Sequence, residues 1–199
     1  MKKLDFMIHN IRTKAVLDTN VIYPIIIRDI LFWFAHYDLF TPKWTKHIFE
    51  EWSNVMLRKG LTVEQAQNRI ARAHLAFPDA LVEHYEVLIE TLSLPDPNDC
   101  HVLAAAIKAK AQVIVTNNKK DFPSDYLEQF GIKVLSADEF LENIIELNPD
   151  VCLVAFLEML KYKKNPPLQA KDILHQLEKV YLPNTVKRLE MLLETHSSE

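Results

Sequence analysis

Gln112-Val113-Ile114-Val115-Thr116 is a short apolar run rich in β-branched residues, with no polar alternation along it. Such a run predicts a strand buried on both faces, the kind that sits in a parallel sheet between layers of helix. Lys14-Ala15-Val16-Leu17 predicts a second strand, ending at Asp18-Thr19-Asn20, and residues 132–135 a third. Tyr85, Val87, Ile89 and Thr91 alternate at period 2 and predict another strand near 87–92. Between these runs lie helical patterns at 25–37, 43–58, 62–76, 96–110, 124–130 and 137–146. Thr62-Val63-Glu64-Gln65 has the form of a capping box, Lys59-Gly60 suits a helix end, and Asp96-Pro97 suits a helix start. Thr41-Pro42 reads as a break. Strands alternating with helices imply right-handed crossovers, hence an α/β fold with a parallel sheet flanked by helices.

After Asn148-Pro149 the pattern changes. No strand is predicted there, and helices near 151–161, 169–180 and 183–194 are separated by Asn165-Pro166-Pro167 and Leu182-Pro183. The expected organisation is a sheet domain over 1–147 and a C-terminal helical appendage over 148–199. Two glycines against ten prolines favour tight, defined connections over flexible linkers.

No stretch approaches the roughly 18 apolar residues of a membrane span. The basic start Met1-Lys2-Lys3-Leu4-Asp5 is followed by no apolar signal core. Cys100 and Cys152 form no CxxC pair, which argues against a structural zinc site or a disulfide scaffold. A protein of the reducing cytoplasm, away from membranes, is expected. The formal net charge of −4 argues against binding nucleic acid by bulk positive charge, but leaves room for a metal site with local basic patches.

In open parallel sheets, functional groups gather beyond the carboxyl ends of the strands. Asp18 directly follows one strand, Asp121 lies five residues after Thr116, and Asp99 sits in the helical turn after the 87–92 segment. Each has a structural alternative. Asp18 can start the next helix, Asp99 can sit at N3 where the helix dipole favours an acid, and Asp121 can serve the turn before Phe122-Pro123. Glu51 alone reads as a solvated helix residue. Jointly, carboxylates gathered at one sheet edge repel one another, and raised pKa values or a cation must relieve this. Hard oxygen ligands suit Mg²⁺ or Mn²⁺, which activate water and stabilise phosphate charge during displacement. HExxH and GxxxxGK[ST] are both absent. Metal-dependent phosphodiester chemistry fits the pattern best.

Four segments then resemble a known family in order and spacing. Val16-Leu17-Asp18-Thr19-Asn20-Val21 resembles the opening motif of PIN domains, and Ile48-Phe49-Glu50-Glu51-Trp52 their helix with the second acid. Asp96-Pro97-Asn98-Asp99 with Val102-Leu103-Ala104-Ala105-Ala106 resembles the third motif. Val115-Thr116-Asn117-Asn118-Lys119-Lys120-Asp121-Phe122-Pro123 resembles the fourth. The resemblance covers about residues 14–140, and the tail is similar to the C-terminal extension of one group of VapC-like toxins. It implies a PIN-like fold in which Asp18, Glu51, Asp99 and Asp121 form the catalytic set. Asp18 and Asp99 would be principal metal ligands, Asp121 a direct or water-mediated one, and Glu51 would hold a bound water or a second ion. Asn20, Thr116 and Asn118 would orient carboxylates by hydrogen bonding. Glu50 competes with Glu51, whose register against Val55-Met56 favours it.

The implied activity is that of an Mg²⁺- or Mn²⁺-dependent endoribonuclease, the toxin of a toxin–antitoxin pair. RNA would be its substrate, an antitoxin its inhibitor and a homodimer its expected assembly. One rival is a PIN-fold RNA-processing or binding module that is not a toxin. Another is a phosphatase or receiver-like domain with Asp18 as phosphate acceptor, against which the lack of a DxD pair at Asp18-Thr19-Asn20 counts. The position after the third acid is often basic in this group, and here it holds Cys100, then His101, which reads as a helix-surface residue or a substitute cation. Lys43, Lys46, His47, Lys119 and Lys120 are candidate phosphate contacts or a solvated face, and Lys161, Lys163 and Lys164 a weaker set. Phe32, Trp33, Phe34 and Tyr37 offer a partner or dimer surface, or a seat for the tail.

Overall fold

The computed structural model describes residues 12–164 and 166–197. The basic start Met1-Lys2-Lys3-Leu4-Asp5 and Asn165 of the Asn165-Pro166-Pro167 break lie outside the described residues.

Four strands, β1 (Lys14–Leu17), β2 (Thr41–Lys43), β3 (Val113–Val115) and β4 (Lys133–Leu135), form a sheet in the order β2-β1-β3-β4. Every pairing is parallel, with Leu17 beside Val115 and Val115 beside Leu135. β1 and β3 are central, and Ala15, Val16, Leu17, Ile114 and Val115 are fully buried, as an apolar run without alternation requires. The Thr41-Pro42 segment, read as a break, is instead the strand β2. Proline offers no N–H to a ladder and so belongs at an edge, which is where β2 lies.

The strand expected at 87–92 is not there. Residues 86–89 form a short helix, α5 (Glu86–Ile89), followed by turns. The alternation was not a burial pattern: Val87 is 79% exposed, whereas Tyr85 is buried and packs with the partly buried Leu88 and Ile89 beside Ala104 and Ala105.

Apart from a four-residue helix, α1 (Thr19–Ile22), that no expected span covers, the other helices follow the expected spans to within four residues at either end. They are α2 (Ile25–His36), α3 (Lys46–Arg58), α4 (Val63–Ala76), α6 (Cys100–Ala109), α7 (Ser124–Glu128) and α8 (Ala137–Leu147). The tail adds α9 (Pro149–Lys161), α10 (Ala170–Lys179) and α11 (Pro183–Ser197). Among the described residues, no helix is long and apolar enough to cross a membrane. The α3 helix begins at Thr45, whose side chain accepts from the Ile48 N–H, and ends where Gly60 adopts φ 90° and Leu61 N–H reaches back to Met56 O at 3.1 Å. The Thr62/Gln65 capping box is formed in full.

Lys110 closes α6 in the left-handed conformation, φ 52° and ψ 47°, while Ala111 N–H bonds Ala106 O at 2.9 Å. A side chain there carries a Cβ penalty that glycine avoids. Lys110→Gly is therefore expected to stabilise the fold by about 0.5–1 kcal/mol, seen as a higher midpoint of denaturant unfolding. A lower midpoint would show that contacts of the lysine stem outweigh the strain.

The tail helices share one apolar core with the sheet part. Cys152, Ala155, Phe156, Met159, Ile173, Leu177 and Leu189 are buried in the same cluster as Ile27, Ile30, Phe34 and Phe140. α9 and α10 pack on α2, and α11 packs on α8. The aromatic face of α2 is divided between two neighbours. Phe34 is buried, Trp33 meets Tyr162 of the tail at 5.1 Å between ring centroids, and Phe32 packs on Trp44 and Phe77. Of the two uses foreseen for this face, packing against the tail is the one observed for Trp33.

Candidate active site

Because β1 and β3 are adjacent and parallel, their carboxyl ends bring Asp18 and Thr116 side by side. Asp18 N–H bonds Val115 O at 3.1 Å, continuing the ladder one residue past the strand. The Asp18 side chain is 5% exposed. Its Oδ1 accepts the Thr19 N–H at 2.6 Å, and its Oδ2 accepts the Thr116 hydroxyl at 2.7 Å and the Asn20 amide. Burial pushes the Asp18 carboxyl above its ordinary value, against the bonds from Thr116 and Thr19 that favour the charged form.

Thr116 is a junction. Fully buried, it also accepts from Asn20 Nδ2 at 2.8 Å and from the Asn118 N–H at 3.0 Å. Asn20 Oδ1 in turn accepts the Asn117 N–H at 2.8 Å. Asn118 extends its amide to Asp99 Oδ2 at 3.3 Å. Asp99 closes a 3₁₀ turn, Pro97–Asp99, capped by Asp96, and enters the site from the start of α6 rather than from a strand end. Its carboxyl is pushed up to about 6, first by desolvation and then by the charges of Asp18, Asp96 and Asp121. Asp121 ends a second 3₁₀ turn, Lys119–Asp121, with Lys120 Nζ 3.9 Å from its Oδ2.

Glu51 comes from α3, across from α1. Its Oε2 accepts the Thr19 hydroxyl at 2.6 Å, and its Oε1 lies 3.2 Å from His101 Nε2. Burial works to raise the Glu51 carboxyl, but the bonds from His101 and Thr19 and the nearby imidazoles outweigh it and hold it below the ordinary range. Glu50 turns away: it is exposed and pairs with Lys46 at 3.6 Å.

Glu51, Asp18 and Asp99 are thus linked by a chain of hydrogen bonds and Asp121 joins them by charge, but the aspartates are not drawn into a closed cage. Among the described residues, the only group of three ligand-type side chains with donor atoms within 4.8 Å of one another is His47, Glu51 and His101. A hard divalent cation fits the aspartate edge nonetheless. Its donors are carboxylate oxygens, and the charges of Asp18, Asp96 and Asp121, which add to desolvation in raising Asp99, are ones that a cation would offset. A groove of about 600 Å³ opens beside these groups, lined by Thr19, Glu51, Asn54 and Arg58.

A sequence profile of the PIN domain matches residues 14–120, the span that carries all of β1 to β3 and ends one residue before Asp121. The chain belongs to the PIN-domain family. Beyond this PIN domain, a profile described as the VapC50 C-terminal domain matches residues 137–190, which covers α8 and most of the tail. One relative is VapC50 of Mycobacterium tuberculosis, a protein whose name carries the word ribonuclease. It is 39% identical over 79 residues, 40% of this chain and 47% of its own length. The chain therefore matches about half the length of that relative. No solved structure matches. Divalent metal ions are in general use among PIN-domain ribonucleases.

Set against this PIN framework, two residues depart from the sequence reading. His101 is no helix-surface residue: it is 3% exposed, bonded to Glu51, and stacked on His47 at 3.9 Å with 23° between the rings. A polar residue beside Cys100 in an alanine-rich helix gives no sign of burial; Glu51 and His47 of α3 come against it in the fold. Arg58 was not singled out, yet it lines the groove beside Glu51. Its position two turns after Glu51 on the same helix was the available signal. Of the lysines considered for phosphate, Lys43 donates to Asp79 O and Lys119 to Glu139 at 2.8 Å, so both have structural partners. Lys163 pairs with Asp29. Lys120 is the one of these beside an acid of the site.

Proposed function

We propose that the chain is a metal-dependent endoribonuclease of the VapC toxin type, cutting RNA at Asp18, Glu51, Asp99 and Asp121. What carries the reading is the group of mutually repelling aspartates at the carboxyl edge of a PIN sheet, with Asp18 buried and Asp99 half-buried and pushed up to about 6. Asp18 and Asp99 would hold Mg²⁺ or Mn²⁺, with Asp121 as a further direct or water-mediated ligand. When bound, the ion supplies positive charge for a phosphate oxygen and makes a water more acidic.

The protein's own groups then divide the remaining work. Thr116 and Asn20 fix Oδ2 of Asp18, the Thr19 N–H fixes its Oδ1, and Asn118 fixes Asp99, so these ligands are preorganised. Glu51 stays ionised and accepts through both oxygens, which suits it to hold a water facing the scissile bond. The groove beside Glu51 would seat a single strand, with Arg58 and Lys120 as phosphate contacts. The reading takes residues 1–147 as the nuclease part and 148–199 as a helical extension fastened to it. An antitoxin protein would be its inhibitor, a homodimer its assembly and the cytoplasm its place of action. A PIN-fold RNA-processing or binding module is the alternative.

Incubation of the purified chain with single-stranded RNA tests the activity. Cleavage with Mg²⁺ or Mn²⁺ is expected, with loss on chelation and in Asp18→Asn. Equal activity in wild type and variant, or activity in neither, counts against the proposal. Growth arrest on expression, relieved by the product of an adjacent small gene, separates a toxin from a processing module.

A further inference from the structure

We propose that His47, Glu51 and His101 form a binding site for a divalent transition ion of the zinc type, beside the aspartate edge and sharing Glu51 with it. His47 and Glu51 stand one turn apart on α3, so their side chains leave the same face of the helix. His101 meets that face from α6. Two ligands at i and i+4 on one helix, completed by a third from a facing helix, is an economical way to build a metal site between helices.

The distances suit a small ion. His101 Nε2 and Glu51 Oε1 are 3.2 Å apart, near the roughly 3.4 Å edge of a tetrahedron with bonds of about 2.0–2.1 Å. The donor atoms of all three residues already lie within 4.8 Å of one another, and His47 is exposed, so rotation of its ring can close the remaining gap. Two imidazoles with one carboxylate prefer zinc, cobalt or nickel over the magnesium that suits the aspartates. Three protein ligands leave room for water in a fourth position.

The site is built to exchange its ion. Nδ1 of His101 is buried without a hydrogen-bond partner among the described residues. In the ion-free protein the tautomer that leaves no unpaired donor carries its proton on Nε2, donated to Glu51. An ion at Nε2 would send that proton to Nδ1, where none of the described residues accepts it. Lack of this outer support weakens metal affinity by roughly ten- to a hundredfold. Filling should therefore follow the supply of the ion. Filling also draws on Glu51, whose other oxygen is bound by Thr19 next to Asp18. Under the nuclease reading, the zinc-type ion would compete for an acid that cleavage needs.

Titration of the full-length chain with Zn²⁺ alone, and with Co²⁺ as a visible probe, tests the site without RNA. Wild type is expected to bind Zn²⁺ and to give Co²⁺ the visible bands of a nitrogen-ligated, low-coordinate ion. His47→Ala, a change at an exposed position, should weaken Zn²⁺ binding by about thirtyfold or more and remove those bands. Asp99→Asn should leave both in place. Zn²⁺ affinity and Co²⁺ bands that are indifferent to His47→Ala, or that vanish in Asp99→Asn, overturn the proposal. The nuclease reading stands or falls separately. A chain that binds Zn²⁺ through His47 yet cuts no RNA keeps this site and loses that function, and RNA cleavage with His47-independent Zn²⁺ binding does the reverse.

Discussion

Asp99→Asn is expected to make the metal-free protein more stable near neutral pH while abolishing RNA cleavage. The Asp99 carboxyl is pushed up to about 6 in the folded chain, against 3.8 as its ordinary value. A folded state that holds a proton more tightly than the unfolded state is favoured at low pH. Asp99 therefore costs no stability below about 4, a growing amount as pH rises through 6, and a constant amount above it. The group is half-buried, so after discounting for solvent the penalty is on the order of 1 kcal/mol. Metal-free wild type should lose thermal stability between pH 4 and 7, and Asp99→Asn should lose less.

Mg²⁺ reverses the trend, because its ligand must be ionised. The rise in melting temperature on adding Mg²⁺ should be larger at pH 7.5 than at pH 5 in wild type and nearly absent in the variant. Cleavage should fall by on the order of a hundredfold or more, since a metal ligand matters at least as much as the groups that orient one. Melting curves with parallel pH slopes in the two proteins would show that Asp99 does not carry the repulsion assigned to it.

The second large effect concerns Asp138, near the start of α8. Its Oδ1 accepts the Thr185 N–H and hydroxyl, both at 2.8 Å, and its Oδ2 accepts the Asn184 N–H at 3.1 Å and side-chain amide at 3.0 Å. One carboxylate thus caps the first turn of α11 from a different helix. Asp138 is 8% exposed and Thr185 fully buried, so truncation leaves donors that water reaches poorly. Asp138→Ala should cost about 3 kcal/mol, combining a lost cap with buried unpaired donors. For a chain of this size that is a fall of roughly 10 °C in melting temperature. Asp138→Asn, which keeps one carbonyl acceptor, should fall between the two. A loss of only a degree or two in Asp138→Ala would mean that apolar packing alone fastens the tail.

The elements legible in the sequence were those whose signals are local. β1, β3 and β4 are short apolar runs, and the end of α3 and the start of α4 rest on Gly60 and the Thr62/Gln65 box, both within a turn of the feature they set. β2 was not legible, because three residues centred on a proline become a strand only through pairing with β1. The segment around Val87 was misread because alternation in sequence is not alternation in burial. Asp18, Asp99 and Asp121 stood out by position and motif order, and the choice of Glu51 over Glu50 by helical register. His101 could not be recognised: its burial, its bond to Glu51 and its stacking on His47 all depend on how α3 and α6 meet. The link from Asp138 to α11 joins residues 46 positions apart or more, which no local signal announces.

The continuity of the core through α9, α10 and α11 bears on when the fold is complete. During synthesis the four acids leave the ribosome long before Phe156, Leu177 and Leu189, which complete the packing around α2 and α8. An emerging chain that holds all four acids still lacks the apolar surface that α9, α10 and α11 lay on α2 and α8, so that core is incomplete until the last of them is out. Maturation would then be a terminal event, and a chain released early would carry the chemistry without the architecture to use it.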